Sequence, residues 1–160
     1  MKRLELTETD WKRVSPKYVW VDLAGLLIFA LIVVGGTSIP GIVSGNVYLF
    51  TIPAAIAVCF IIALALTPRR VRAIGYAMRE DDLLFRKGIL FQRFVAVPYG
   101  RMQLVDINRG PLARALGLSE LKFVTAAAAT GVVIPGLAEA DAETMRDELV
   151  ALAESRRAGL

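Results

Sequence analysis

The sequence predicts two transmembrane α-helices that form a hairpin, followed by a mainly-β domain with a C-terminal capping helix. Three observations predict this fold class. First, the 46 residues between Asp22 and Arg69 include no charged side chain. Second, charged residues return from Arg69 onward, and apolar residues then alternate with polar ones as they do in half-buried strands. Third, the last segment has the three- and four-residue apolar spacing of an amphipathic helix.

The composition excludes several classes of protein. Hydrophobic residues make up 56% of the 160-residue chain, whereas an intrinsically disordered chain is poor in them. The single cysteine, Cys59, has no partner within the chain for a disulfide. Because the chain has no histidine, Cys/His zinc sites and catalysis by a histidine base are excluded too. We therefore expect no metal and no cofactor.

The uncharged run is long enough for two membrane crossings. As one helix it would be about 69 Å long, whereas a bilayer core of about 30 Å needs about 20 residues. Four glycines and one proline lie in Gly35–Asn46, and these residues favour a turn. We predict the first span at Tyr18–Val34 and the second at Val47–Thr67. The chain then divides into an N-terminal segment at 1–17, the hairpin at 18–67 and a domain at 69–160.

Other interpretations of these spans are less consistent with the sequence. Two buried helices of a soluble protein would need a polar face, which the uncharged run does not provide. A cleaved signal peptide has an apolar stretch of about 7–15 residues, shorter than the first span. Asp22 lies within about one turn of the start of that span, so we favour an interfacial position over a functional carboxylate inside the membrane.

The basic residues that flank the spans predict the orientation. Five precede the first span, three follow the second, and the connecting loop has none. They are Lys2, Arg3, Lys12, Arg13 and Lys17, and then Arg69, Arg70 and Arg72. Because cytoplasmic flanks are enriched in Lys and Arg, we predict a multi-pass protein of the cell membrane with both termini in the cytoplasm.

Strand-like patterns cover most of the segment from residue 71 to residue 134. The predicted strands are Val71–Met78, Leu83–Phe85, Ile89–Val97, Arg101–Asn108, Leu121–Thr125 and Gly131–Ile134. The acidic run Glu80–Asp82 predicts a hairpin turn. A divalent cation site is the alternative, but adjacent side chains on a strand point to opposite faces and would not converge.

Two helices complete the predicted domain. Pro111 and Gly117 bracket a short helix, since proline favours a first helical position and glycine the residue after a helix. From about Pro135 the pattern becomes helical, with Asp141 as the candidate N-cap. Ala142, Met145, Leu149 and Leu152 then share one face. A strongly bent sheet or a small, partly open barrel that one helix caps fits this order of elements.

One long segment, Val97–Leu118, resembles the signature of bacterial pleckstrin-homology-like domains of the YdbS type, the second bacterial class. The matching residues are Pro98, Arg101, Gln103, Asp106, Gly110, Pro111, Leu112, Arg114, Gly117 and Leu118. Met102 stands where isoleucine is usual in that signature. Ile134–Leu137 and Asp141–Ala142 resemble the closing pattern of the family, whereas the alanine run Ala126–Ala129 departs from it. Two spans before this domain are also the layout of the family.

The resemblance implies a fold and a setting rather than an activity. It implies two packed, near-orthogonal sheets with a capping C-terminal helix, in a membrane-associated, non-enzymatic and adapter-like protein. Short members of this family often accompany a longer relative with more spans and more such domains. A complex with such a membrane protein is therefore implied by analogy.

Two functional hypotheses follow. In the first, the domain is an interaction module that holds another membrane protein, and the small residues of the spans permit close helix packing or a homo-oligomer. In the second, basic residues recognise anionic lipid headgroups, with Arg69, Arg70 and Arg72 as candidate contacts. Residues 69–122 hold 11 basic and 5 acidic side chains, against 3 and 6 in residues 123–160. The alternative for that arginine cluster is a role in topology alone.

The roles of the signature residues are also open. Gly110 and Gly117 are expected to permit special backbone geometry, and Pro111 to begin the short helix. The polar positions Arg101, Gln103, Asp106 and Arg114 either form a structural network around that helix or present a surface to a partner.

An enzyme and a nucleic-acid-binding protein are the disfavoured alternatives. Ser119, Thr125 or Thr130 could act as a nucleophile with Lys122 as base, but nothing in their spacing requires it. The sequence pI of about 9.5 permits nucleic-acid binding, but membrane topology explains the same excess of basic residues. We therefore expect neither catalysis nor a nucleic-acid partner.

Overall fold

The computed structural model describes residues 10–125 and 128–158, which form two compact units. One unit is the helical segment Val19–Arg69. The other combines the residues before this segment with those after it, from Arg70 onward. The membrane segment is therefore an insertion in the β domain, because residues on both sides of it belong to the same unit.

The helical unit is a hairpin of two long helices. Helix α1 spans Tyr18–Ser44, and helix α2 spans Thr51–Arg72 after a short 3-10 helix at Val47–Phe50. Each is long and apolar enough to cross a membrane. Most of their large apolar side chains are exposed, which is the arrangement expected of helices whose sides contact lipid.

Helix α1 is longer than the sequence predicts, because it continues through the glycines and proline of the predicted turn. Hydroxyl groups donate back to the helix here: Thr37 Oγ1 to the Val33 carbonyl at 2.8 Å and Ser44 Oγ to the Pro40 carbonyl at 2.7 Å. A segment that has no water to bind must satisfy its polar groups internally, and the helix does so. The break in helical structure is confined to Gly45 and Asn46, where the Asn46 side chain accepts the Tyr48 N–H at 3.1 Å.

The first sheet of the β domain has four antiparallel strands in sequence order. They are β1 at Lys12–Arg13, β2 at Gly75–Met78, β3 at Asp82–Lys87 and β4 at Arg93–Pro98. No strand was predicted in the N-terminal segment, yet Lys12 pairs with Tyr76 and Arg13 with Gly75. The hairpin turn predicted at Glu80–Asp82 is confirmed, since Arg79 N–H donates to the Asp82 carbonyl at 2.9 Å.

The predicted strand Ile89–Val97 is wrong in its first half. Residues 88–92 form the β3–β4 loop, and the strand begins only at Arg93. Gly88 explains the difference, because its φ of +104° is a conformation that an ordinary strand residue does not adopt.

The second sheet has three antiparallel strands. They are β5 at Met102–Asn108, β6 at Leu118–Thr125 and β7 at Ala128–Ala138. A 3-10 turn at Tyr99–Arg101 joins the two sheets, and the short helix α3 at Pro111–Ala115 lies between β5 and β6. Strand β7 continues past Pro135, where the sequence predicted that strand structure would end.

Helix α4, Glu139–Ala158, packs on the second sheet and on the 3-10 turn. It begins two residues before the predicted cap, Asp141. Ala142, Met145 and Leu149 are buried, as the apolar spacing predicts. They join a core that includes Leu83, Phe85, Leu121, Phe123 and Ile134. The described residues thus confirm a hairpin of apolar helices followed by two sheets and a C-terminal helix.

Candidate functional site

A cavity of about 640 Å³ opens in the β domain beside the β3–β4 loop. Strand β3 contributes Phe85 and Lys87, and the loop contributes Phe91. The opposite wall comes from the second sheet, which supplies Glu120 and Val133. The remaining lining residues are Tyr18, Arg70, Ile74, Gly88, Arg93 and Pro135. A cavity of this size and mixed lining is typical of small-ligand sites.

Three basic side chains and one carboxylate line this cavity. The basic residues are Arg70, Lys87 and Arg93, and the carboxylate is that of Glu120. Lys87 and Arg93 are direct partners across the β3–β4 pair, so like charges face each other at its end. Asn108 Nδ2 donates to Glu120 Oε1 at 2.7 Å, which gives this carboxylate a partner on its own sheet. The cavity therefore favours an anion.

The β3–β4 loop at the mouth of this cavity carries three consecutive apolar side chains. Leu90 and Phe91 are 88% and 90% exposed, and Ile89 is 40% exposed. Gly88 shapes the loop, because a Cβ there would lie 2.0 Å from the Phe91 carbonyl oxygen. The turn thus requires glycine and holds the next side chains at the surface.

The structure separates the three arginines predicted as lipid contacts. Arg70 lines the cavity together with Lys87 and Arg93. Arg69 and Arg72 are exposed and are not part of its lining. Lys87 and Arg93 were not predicted as site residues, although basic residues on either side of the apolar run 89–91 are a signal in the sequence that could have identified them.

The polar signature residues whose side chains are described lie at the surface. Arg101, Asp106 and Arg114 are all exposed. Within 10–125 and 128–158, no side-chain hydrogen bond or ion pair joins these three to another described residue. The side chain of Gln103 lies outside the described part. These three side chains are therefore accessible at the surface of the described part of the chain, and their role stays a prediction.

The other signature residues shape α3 and its flanks. Pro111 is the first residue of the helix, as predicted, and Leu112 is exposed on it. Gly117 has a φ of +66°, which confirms its expected conformational role. Gly110 has a φ of −69°, an ordinary value for any residue, so the same expectation is wrong there. Pro98 precedes the 3-10 turn at the end of β4.

A residue that the sequence analysis did not single out connects α3 to α4. Arg109, just before the short helix, donates through Nη2 to Glu143 Oε1 at 2.9 Å and through Nη1 to Glu139. The charge pattern alone did not identify this contact, because the partners lie 30 and 34 residues away.

Tyr99 connects the 3-10 turn to the β2–β3 turn. Its hydroxyl donates to the Arg79 carbonyl at 2.8 Å, and the Arg79 guanidinium pairs with Asp82 at 2.8 and 2.9 Å. Burial, and after it the nearby Asp82 carboxylate, raise the pKa of the Tyr99 phenol to about 12. Asp82 thus has a structural partner, so the hairpin interpretation of the acidic run is confirmed.

The residues considered for catalysis do not converge. Ser119 is buried at 1% exposure, whereas Lys122 is exposed on the same strand. The side chains of Thr125 and Thr130 lie outside the described part. Across residues 10–125 and 128–158, no group of three or more acidic or cysteine side chains is placed to hold a metal ion. The expectation of no catalysis and no metal stays a prediction.

Comparison with known proteins identifies the family. The model of the bacterial PH domain matches residues 21–153, which is most of the chain. The chain belongs to the bacterial PH domain family. It is also 33% identical over 94 residues to the transmembrane protein YdbS of Bacillus subtilis (strain 168). That match covers 58% of this chain and 58% of YdbS. No solved structure matches the chain.

The family assignment and the two long apolar helices agree. This bacterial PH domain protein is a membrane protein, as is its YdbS relative by name. The family match begins within α1, so the pattern that defines it here includes both the hairpin and the β domain. The resemblance predicted from the signature residues is thereby confirmed.

Proposed function

We propose that this protein is a membrane-anchored, non-enzymatic adapter whose PH-like domain binds another membrane protein. The observation that carries the proposal is the exposure of the polar signature side chains Arg101, Asp106 and Arg114. A polar side chain whose role is only structural is usually buried or paired. An exposed polar side chain that makes no contact within the domain is available for binding.

Helix α3 supplies an apolar component beside Arg114, which lies on the same helix. Leu112 and Leu116 flank Arg114 and are 40% and 37% exposed. Protein interfaces combine an apolar centre with arginine and other polar groups at the rim. A partner that offers apolar side chains and a carboxylate for Arg114 would complement this surface. A longer relative of the same family is the favoured partner, and a second copy of this chain is the alternative.

The proposed partner site faces the cytoplasm. Strand β1 precedes the hairpin, and its partner β2 follows it, which supports a topology with both ends of the hairpin on one side of the membrane. The excess of basic residues in both flanks favours the cytoplasm as that side. Reporter fusions at both termini measure this orientation, and an external signal from either terminus would contradict it.

Co-purification tests the adapter proposal. The tagged full chain is extracted from its native membrane in a mild detergent, and the proteins that accompany it are identified by mass spectrometry. We expect a membrane protein in stoichiometric amount, and we expect Arg114→Glu to lose most of it with an unchanged melting temperature. Arg146→Glu is the control, because Arg146 is equally basic and exposed but lies on α4. Recovery of a lone monomer would reject the proposal.

Recognition of anionic lipid is a second candidate function. The observation that favours it is the convergence of Arg70, Lys87 and Arg93 on one cavity. Basic side chains near the cytoplasmic leaflet are attracted to its anionic lipids by about 1 kcal/mol each. The mass spectrum of the same preparation tests this candidate, since enrichment of anionic over zwitterionic lipid is expected and equal recovery would oppose it.

A further inference from the structure

The β3–β4 loop presents an unusual apolar surface for a water-exposed domain. Leu90 and Phe91 are neighbours in sequence, and each has about nine-tenths of its surface exposed. Gly88 fixes this arrangement through its positive φ and its close approach to the Phe91 carbonyl. Single exposed apolar residues are common, but clustered ones mark sites that contact a partner or a membrane.

Both charged residues that flank this apolar tip are basic, and the one carboxylate of the cavity lining, that of Glu120, is hydrogen-bonded to Asn108. Lys87 precedes the loop, Arg93 follows it, and the two are direct cross-strand partners. Neither has an ion pair or side-chain hydrogen bond with another residue of the described part of the chain. Like charges that face each other across a strand pair destabilise it, and a bound anion would relieve this repulsion.

The cavity also lies where the chain enters and leaves the hairpin. Tyr18, the first residue of α1, and Arg70, in the last turn of α2, both line it and both belong to the β unit. Two of its lining residues are therefore bonded directly to the first and last residues of the helical unit, Val19 and Arg69. The anion with the readiest access to it is a lipid headgroup.

We infer that the loop and the cavity together bind one anionic phospholipid. Arg70, Lys87 and Arg93 contact its phosphate, while Leu90 and Phe91 insert among neighbouring acyl chains. Both halves of the site match an amphiphile, because basic groups recognise phosphate and apolar side chains enter the headgroup–acyl boundary. The inference rests on the second candidate function and gives it a ligand class and a mode of binding.

Depth measurement on the full chain tests this inference. Cys59→Ala removes the native thiol, and Leu90→Cys then carries a nitroxide label at a highly exposed position. The protein is reconstituted in discs of phosphatidylcholine alone or with about a third phosphatidylglycerol. Accessibility to oxygen, which concentrates in lipid, and to a water-soluble nickel chelate gives the depth. Ala151→Cys, on an exposed position of α4, provides the aqueous reference.

We expect phosphatidylglycerol to lower the nickel accessibility of residue 90 severalfold and to raise its oxygen accessibility. Lys87→Glu with Arg93→Glu should abolish this change. Lys12→Glu with Arg146→Glu, which alters net charge equally at two exposed residues outside the cavity lining, should not. Circular dichroism of each variant verifies that the fold is retained.

Three results would overturn the inference. The label at residue 90 could have the same oxygen and nickel accessibilities as the label at residue 151 in both kinds of disc. It could lie at the same depth in both kinds of disc, with a depth that the charge reversal does not change. The loop would then insert into the membrane without an anion-binding site beside it. It could be shielded from both reagents, which would indicate a covering protein. If anionic lipid still co-purifies while the label stays aqueous, lipid recognition stands and the loop mechanism fails.

Discussion

At the scale of single residues, the two signature glycines beside α3 have different roles. Gly117 adopts a φ of +66°, in the left-handed region, immediately after the helix. Gly110 adopts an extended conformation at the other end, with nothing within 4 Å of the position that a Cβ would occupy. The sequence alone gives no reason to treat these two glycines differently. Their backbone φ angles distinguish them.

This difference gives a paired prediction. Gly117→Ala should destabilise the protein by about 1–2 kcal/mol, because an L-residue with a side chain is strained in that conformation. Gly110→Ala should be neutral or slightly stabilising, since it reduces the freedom of the unfolded chain without strain. Thermal melting of the full chain in mild detergent measures both. Equal losses at the two positions would contradict this assignment.

At the scale of elements, the two-residue strand β1 is held by the tryptophan before it and, after it, by the buried Val14 and a hydrogen bond from the Ser15 N–H to the Gly136 carbonyl at 2.8 Å. The Trp11 ring lies 4.4 Å from the Arg86 guanidinium carbon and packs edge-on against Phe94, with ring centroids 6.3 Å apart. Arg86 Nε is buried without a hydrogen-bond partner among the described residues. The face of the Trp11 ring therefore supplies a favourable electrostatic contact for this guanidinium. Two backbone pairs alone would not keep so short a strand in place.

We expect Trp11→Ala to lower the melting temperature by several degrees. The loss combines a cation–π contact of about 0.5–2 kcal/mol with an aromatic pair of about 0.5–1.5 kcal/mol. Trp20→Ala is the matched control, because Trp20 is 67% exposed on α1 and makes no such pair among the described rings. Equal melting temperatures for the two variants would show that β1 contributes little.

The elements that the sequence predicts well are those with a local signal. A charge-free run identifies the two spans, and apolar spacing identifies α4. Strand β1 has no such signal, because its partner residues lie more than 60 positions later. Residues 89–91 are all apolar, which is also typical of a buried strand. Only the backbone conformation of Gly88 shows that they belong to a loop. The cavity is formed by segments that are distant in sequence. The sequence alone therefore does not predict that Arg70 lies near Lys87 and Arg93.

At the scale of the whole molecule, the insertion of the hairpin into the β domain determines which fragments are usable. A fragment that begins at Arg69 lacks β1 and Trp11, so it exposes the edge of β2. Unpaired edges of this kind promote association between chains.

We expect such a fragment to associate and to melt at a lower temperature than a fusion that joins residues 10–18 to residues 70–160. A short flexible linker suffices for that fusion, because Tyr18 and Arg70 line the same cavity. Size-exclusion chromatography and thermal melting compare the two. A fragment that is monomeric and equally stable would show that the N-terminal strand is dispensable.

The position of β1 ahead of the hairpin also sets an order of events during synthesis. The first strand leaves the ribosome before either span, yet its partner β2 emerges only after both. In the proposed topology, the sheet is completed only after both spans have been inserted. A polypeptide that inserted one span alone would leave the strand and its partner in different compartments, with an unfinished sheet open to proteolysis. In that topology, folding of the domain requires correct insertion of both spans, because the first strand and its partner must meet on one side of the membrane to form their backbone hydrogen bonds.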